Sequence, residues 1–388
     1  MSRLRRISTR RLIVLCVALL AVAVGGTALA IAATSDGGVP RQKPLAKAVH
    51  DALAAPEQQG VEARIKFTNH LVDNVDFRGW NPLIGGGDGR LWATNDGKFR
   101  LELQSSGGDA QIVSNGKRWW AYDGESDTLY RGRVPQRSHE QHWRVPTVTR
   151  IQRVIDRVMR HATVDGPNPV NVAGRPAYSV RTSLKRDSGL LGGLEFAWDA
   201  ATGTPLRGAV YAKGDEDPVL ALEATEISFG TVPDDTFDVP MPTGVKPQTL
   251  RGHHERGRDG HHRKPVTGLA RVQRKLGFDL SAPAQLEGRK RDIVALVGHD
   301  KRHRAALVTY GRSLDGIAVI EKRVSGAPET GKVPLDGAEL PTVDINGVTG
   351  EKLSTPLGTV VRFERDGISY TVIASAVPSV VEAAARGL

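Results

Sequence analysis

The chain has 388 residues, enough for two domains that each bury a core. A hydrophobic fraction of 39% and a charged fraction of 25% exclude a disordered chain and a polytopic membrane protein. The formal charge of +10 does not point to nucleic acid, because Arg3, Arg5, Arg6, Arg10 and Arg11 supply five positive charges before residue 12.

Those arginines form a basic leader over 1–11, followed by an apolar run over 12–33 that is broken by Gly25, Gly26 and Thr27. About 20 such residues span a bilayer, and positive charge in front of them holds the N-terminus inside. Everything past a spacer at 34–44 is therefore expected outside, on a single-pass cell-membrane protein. Ala28-Leu29-Ala30 and Ala30-Ile31-Ala32 offer small-x-small cleavage sites, and cleavage there would give a secreted protein. The run is longer than an ordinary signal core, which favours retention as an anchor. Arg10-Arg11 before Leu12-Ile13 is a loose twin-arginine match, for which ordinary leader charge is the favoured reading. Cys16, the one cysteine, lies in the run after Leu15, so the exported part has no disulfide, no thiol chemistry and no lipid-modified cysteine.

Between Pro44 and Pro56, Leu45, Ala48, Val49, Ala52 and Leu53 share one helical face. From Val61 the period becomes two: Val61, Ala63, Ile65 and Phe67 alternate with Glu62, Arg64, Lys66 and Thr68, the pattern of a half-buried strand. Gly85-Gly86-Gly87-Asp88-Gly89 has the spacing of neither a P-loop nor a dinucleotide turn and reads as a flexible hairpin loop. Alternation returns at Phe99, Leu101 and Leu103, and Asn115-Gly116 between Ile112-Val113 and Trp119-Trp120 predicts a type I′ hairpin. Thr147–His161 then carries Val148, Ile151, Val154, Ile155, Val158 and Met159 at helical spacing, with Arg150, Arg153, Arg157 and Arg160 on the far side. That basic stripe reads either as a solvated face or as a grip on anionic lipid or a partner.

Further strands are predicted at 177–184, 194–198, 206–212 and 219–229, closing a first domain over 45–250. A His/Arg-rich linker over 251–266 follows, with His253-His254 and His261-His262. No carboxylate or cysteine stands at ligand spacing beside those pairs, so linker is favoured over metal site. A smaller α+β domain over 267–388 is predicted from a helix at 266–276, strands at 293–297, 305–310, 317–324, 359–364 and 369–374, and a final helix at 378–386.

Catalysis needs a nucleophile with a base, paired carboxylates or a metal cluster, and no Gly-x-Ser-x-Gly or His-Glu-x-x-His occurs. Asp73 with Asp76, and Asp215 to Asp217, sit in predicted loops where solubility explains them without calcium. No enzymatic activity, cofactor or metal is expected. Trp92, Trp119, Trp120, Tyr122 and Tyr130 crowd one strand region, with Trp120 and Tyr122 on the face opposite Trp119. They are either core or the wall of a ligand cavity. The cavity reading groups Trp92, Phe99, Leu101, Leu103, Trp120 and Tyr122 with Val154 and Val158 of the helix.

Gly89-Arg90-Leu91-Trp92, Gly97-Lys98-Phe99-Arg100-Leu101-Glu102, Ile112-Val113-Ser114-Asn115-Gly116 and Trp119-Trp120-Ala121-Tyr122-Asp123 resemble, in order and spacing, the LolA family of periplasmic lipoprotein carriers. Val172-Ala173-Gly174-Arg175, Trp198-Asp199 with Thr202-Gly203-Thr204-Pro205-Leu206, and Phe237-Asp238-Val239-Pro240 are similar also to the related RseB/MucB sensors. Residues 267–388 resemble a domain of unknown function that follows such modules in sporulation and anti-sigma-associated proteins, through Phe278-Asp279-Leu280, Tyr310-Gly311, Ile345-Asn346-Gly347 and the run from Arg362 to Tyr370.

The resemblance implies a mainly β fold with α, an open antiparallel half-barrel plugged by helices. Its apolar concave face would hold a lipid or acylated lipoprotein, with a membrane transporter as a further partner, and lifting the 148–159 helix would open it. The sensor-like segments imply the alternative of docking an anti-sigma factor or another membrane protein. The anchor, linker and second domain depart from the soluble carriers, which puts free shuttling between membranes in doubt.

Overall fold

The computed structural model describes residues 38–72, 82–124, 127–134, 145–186, 188–245, 248–249, 266–298, 304–324 and 340–388. The basic leader, the apolar run with Cys16, Asp73 with Asp76, and the linker at 251–265 with its histidine pairs lie outside the described residues. Among the described residues no helix is long and apolar enough to cross a membrane.

The first sheet has 12 strands. It begins with α1 (Leu45–Ala54), β1 (Gly60–Asn69), the one-turn helix α2 (Pro82–Gly85), β2 (Gly87–Thr94), β3 (Lys98–Ser105), β4 (Gly108–Asn115), β5 (Arg118–Asp123) and β6 (Thr128–Arg133). After α3 (Val148–Met159) come β7 (Ala162–Val172), β8 (Arg175–Leu184), β9 (Leu191–Asp199), β10 (Pro205–Ala212), β11 (Pro218–Phe229) and the short β12 (Gln248–Thr249). In space the order is β12-β6-β5-β4-β3-β2-β1-β11-β10-β9-β8-β7, antiparallel except where β12 meets β6. Two meanders thus join at the β1–β11 pair. Ala173, in the turn between β7 and β8, packs against the cluster of Ala63, Ile65, Leu103, Ala110 and Ala224 on β1, β3, β4 and β11. A contact across that many strands requires the sheet to curl into a half-barrel.

Local sequence explains most of these elements. In β1, Ala63 and Ile65 are buried while Glu62, Arg64 and Lys66 are exposed, as the period-two pattern predicts. The glycine run is not a loop. Gly85 ends α2, and Gly87 and Gly89 lie inside β2, where a Cβ on Gly89 would stand 1.9 Å from the Glu102 carbonyl oxygen of β3. Glycine here permits close strand approach rather than flexibility. The β4–β5 hairpin forms, but its turn is not type I′: Gly116 has φ +80°, whereas Asn115 is not left-handed. Instead the Asn115 side chain accepts the backbone N–H groups of Lys117 (3.1 Å) and Arg118 (2.9 Å), a local bond that holds the turn without positive φ. The type I′ pattern appears at Asn346-Gly347, with φ of 54° and 84°.

The second sheet has eight strands, all antiparallel. Its elements are α4 (Leu269–Leu276), β13 (Gln285–Leu286), β14 (Arg289–Val297), β15 (Ala305–Tyr310), β16 (Ile317–Arg323), β17 (Thr342–Ile345), β18 (Val348–Thr355), β19 (Gly358–Arg365), β20 (Ile368–Ala374) and α5 (Pro378–Arg386). The helix expected from residue 266 starts later, because 266–268 pair along β14: the Gly268 N–H bonds the Val294 carbonyl (2.8 Å) and the Leu296 N–H that of Val266 (2.9 Å). Helices α4 and α5 cover one face, burying Val272, Leu276, Val381, Ala384 and Ala385 against Val308, Val319, Val361, Phe363 and Val372. The first and second sheets touch where Leu71, Val72 and Ile84 pack with Leu340 and Leu353, and where the Leu190 N–H bonds Ser375 Oγ at 2.9 Å.

Candidate functional site

The residues grouped as a candidate cavity do not surround one space. Register pairs Trp92 with Arg100, Arg100 with Val113 and Val113 with Trp120, so Trp92, Trp120 and Tyr122 share one face of the first sheet. Phe99, Leu101 and Leu103 project from the other face, where Leu103 is buried with Ala63 and Ile65 and Leu101 packs against them. Val154 and Val158 are elsewhere again, half-buried on α3, which packs on α1 and β7 at the opposite end of the sheet from β5. Alternation within each strand was legible, but which face each strand turns inward depends on pairing register.

What covers the aromatic hairpin is the chain's own continuation past β11. Trp120 is 8% exposed and packs with Val113, Leu129, Val239 and Val245. A 3₁₀ turn at Asp234–Phe237 buries Phe237, and Arg100 donates to the Thr236 carbonyl (2.9 Å) while stacking over Trp92 at 5.2 Å. Of the two readings, core packing describes Trp120. Two depressions open beside this region, of about 240 and 340 Å³. The first is floored by Trp92, Phe229 and Val232 beside Glu62, and the second is lined by Glu62, Arg64, Arg90 and Glu226, which is polar ground for an acyl chain.

Helix α1 covers the far end of the same sheet through Ala48 on Tyr178 and Trp198, with Val180 and Phe196 beside them. The helix expected to lift off and expose an apolar groove therefore lies mostly on another helix: of α3, only Ile151 is fully buried.

The second sheet leaves a different surface. Pairing places Ile293, Ala295 and Val297 of β14 beside Thr309, Leu307 and Ala305 of β15, and these beside Ala318, Ile320 and Lys322 of β16; Ile373 of β20 adjoins Ala318. This is the face without helices. On it Ile293 is 45%, Val297 36% and Ile373 38% exposed. Isolated exposed apolar residues are ordinary, but here a row across four strands, Ile293, Thr309, Ala318 and Ile373, ends in an exposed isoleucine on each side with no helix over it, which suits an interaction surface. Toward β18, where Leu353 meets the first sheet, the face is covered.

One polar group sits on the covered side. Glu321 of β16 is 0% exposed; one carboxylate oxygen accepts the Ser281 N–H at 2.9 Å and the other has no partner. Ser281 in turn donates its hydroxyl to the Leu388 carbonyl at 2.9 Å. Burial pushes the Glu321 carboxyl up to about 7, moderated by the Ser281 N–H, and pushes the neighbouring Tyr310 hydroxyl, also unpartnered, up to about 12. Sequence reasoning passed over Glu321. The available signal was a charged residue in phase with Ile317 and Val319 on the inward face of its strand.

No family model matches the chain, and no curated protein matches it. Among solved structures it is similar to MucB in the complex structure of Pseudomonas aeruginosa MucA/MucB, at 16% identity and a TM-score of 0.40 over 88% of this chain and 94% of that one. A structure of MucB alone gives 15% identity and a TM-score of 0.39 over 87% and 95% of the two chains. An uncharacterized conserved protein from Thermus thermophilus gives 13% identity and a TM-score of 0.32, covering 53% of this chain and 96% of that one.

Proposed function

We propose that the chain is an exported binding protein, held at the membrane by the apolar run at 12–33, whose second domain docks a membrane-protein partner of the anti-sigma-factor kind. It works by binding, without a catalytic group. The observation that carries this reading is the helix-free face of the second sheet, where Ile293 and Val297 of β14 and Ile373 of β20 stand exposed on either side of β15 and β16. The sensor-like segments of the sequence point to the same class of partner. The lipid or acylated-lipoprotein reading finds less support in the geometry, because the aromatic hairpin is filled by Val239 and Val245. Ile293→Asp and Ile373→Asp place charge on exposed positions and leave the core of the domain intact. Co-purification of a membrane protein with the full chain should be lost in both variants. Retention of the same partner at wild-type yield would overturn the reading, and loss of a bound acyl lipid instead would assign the face to lipid.

A further inference from the structure

The arginine stripe of α3 is unexplained by docking at the second sheet. Arg150, Arg153, Arg157 and Arg160 are spaced to share one side of the helix, and all four are exposed. None is engaged by a carboxylate among the described residues; Arg153 bonds only the Thr149 carbonyl, at 3.4 Å. The carboxylate of the helix, Asp156, is taken by Gln152 at 2.7 Å. Elsewhere in the domain Arg64 is paired with Glu226, Arg100 with Glu102, Arg175 with Asp199 and Arg207 with Glu223. Like charges three and four residues apart repel along a helix, and the single carboxylate at Asp156 offsets only part of the repulsion among the four arginines of α3. Lys185, exposed and bonded to the Met159 carbonyl at 2.6 Å, and exposed Arg186 extend the charge past the helix end.

The position of this stripe is set by the incoming chain. Tyr178 donates its hydroxyl to the Arg41 carbonyl and Gln42 donates to the Pro167 carbonyl (2.9 Å), pinning the residues before α1 on β7 and β8. Helix α3 packs on α1. Arg41 follows Ala33, the end of the apolar run, by eight positions, a reach of at most about 28 Å. The four guanidinium groups extend along about 15 Å of helix at the same end of the sheet.

We propose that the arginine side of α3 is a docking surface for anionic phospholipid headgroups, which seats the first domain on the membrane beside its own tether. The placement beside the bilayer rests on the anchored reading of 12–33; the charge complementarity does not. A basic side chain close to an anionic leaflet gains about five-fold in partitioning, so four contribute on the order of several hundred-fold. Phosphate headgroups relieve the repulsion that the protein leaves standing.

The test uses the full chain carrying Cys16→Ser and Thr149→Cys, labelled at Thr149→Cys with a fluorophore that a headgroup-borne quencher extinguishes. Quenching is read in phosphatidylglycerol and in phosphatidylcholine bilayers, once with the chain inserted and once with the exported form added from solution. The proposal expects quenching in phosphatidylglycerol alone, lost at high salt and lost when all four arginines are changed to Gln while tryptophan fluorescence stays unchanged. Equal quenching in both lipids, or phosphatidylglycerol binding unaffected by the four Gln changes, overturns it. Resistance of the protein to an alkaline wash reports separately on the anchor. A chain that washes off yet shows arginine-dependent binding removes the anchor and keeps the docking surface, and the converse removes the surface alone. A stripe that binds an acidic peptide and ignores phosphatidylglycerol also overturns the proposal.

Discussion

Glu321→Gln should make the second domain more stable at neutral and alkaline pH. The Glu321 carboxyl rises from an ordinary 4.5 to about 7 on folding, with a single N–H to hold it and no cation among the causes of its shift. The folded state therefore binds this proton more tightly than the unfolded chain. Stability from this group is complete below about pH 4.5, falls as pH rises toward about 7, and is flat beyond; the full loss is about 3 kcal/mol. Glutamine resembles the protonated acid and keeps an acceptor for the Ser281 N–H. The two proteins should match within about 1 kcal/mol near pH 4.5 and diverge by about 3 kcal/mol near pH 8, the variant being the more stable. All six tryptophans precede residue 199, so their fluorescence reports the first sheet and not the surroundings of Glu321. Hydrogen exchange of β15 and β16 amides across denaturant concentration measures the second domain. A difference between variant and wild type that is the same at both pH values would refute the assignment of the buried charge.

Trp120→Ala should lower first-domain stability by about 3–5 kcal/mol, because the ring is packed between Val113, Leu129, Val239 and Val245; chemical denaturation followed by fluorescence checks it, and a loss under about 1 kcal/mol contradicts the core placement. Gly89→Ala should cost at least about 1–3 kcal/mol through overlap with the Glu102 carbonyl, while Gly208→Ala, facing open space, should fall within about 0.5 kcal/mol of wild type in the same assay. Asp199, buried under Arg175 (2.7 Å) and accepting the N–H groups of Ala201 (2.9 Å) and Thr202 (2.8 Å), should cost about 3 kcal/mol as Asp199→Ala; thermal melting at constant pH reads the loss, and an unshifted midpoint refutes it.

Strand alternation and helix amphipathicity were legible wherever one face is wet. β1 and β16 follow their period, and α5 begins at Pro378, where proline suits the first helical position. β7 was not legible, because Gly166-Pro167-Asn168-Pro169 reads as loop; as the edge strand it tolerates prolines that an inner strand could not. β17 and β18 escaped because their sides alternate among half-buried and polar residues rather than presenting an apolar row. The separation of the grouped aromatic and aliphatic residues onto different faces was hidden for a different reason. Residues 232–245 carry little periodicity, yet they cross the aromatic face and fill it, a tertiary contact that no local pattern announces. In the second sheet the exposed row at Ile293 and Ile373 was visible only once pairing showed which face α4 and α5 leave open.

The docking account stands most directly on what touches that open face in the living cell. A photo-crosslinking amino acid placed at Ile373, with the full chain expressed in its native cell, reports the neighbour within reach of the side chain. Docking at this face should give a covalent adduct with a membrane protein that has an exported segment, and that adduct should be lost when Ile293→Asp is added. An adduct with lipid alone, or a protein adduct that Ile293→Asp leaves unchanged, would contradict it.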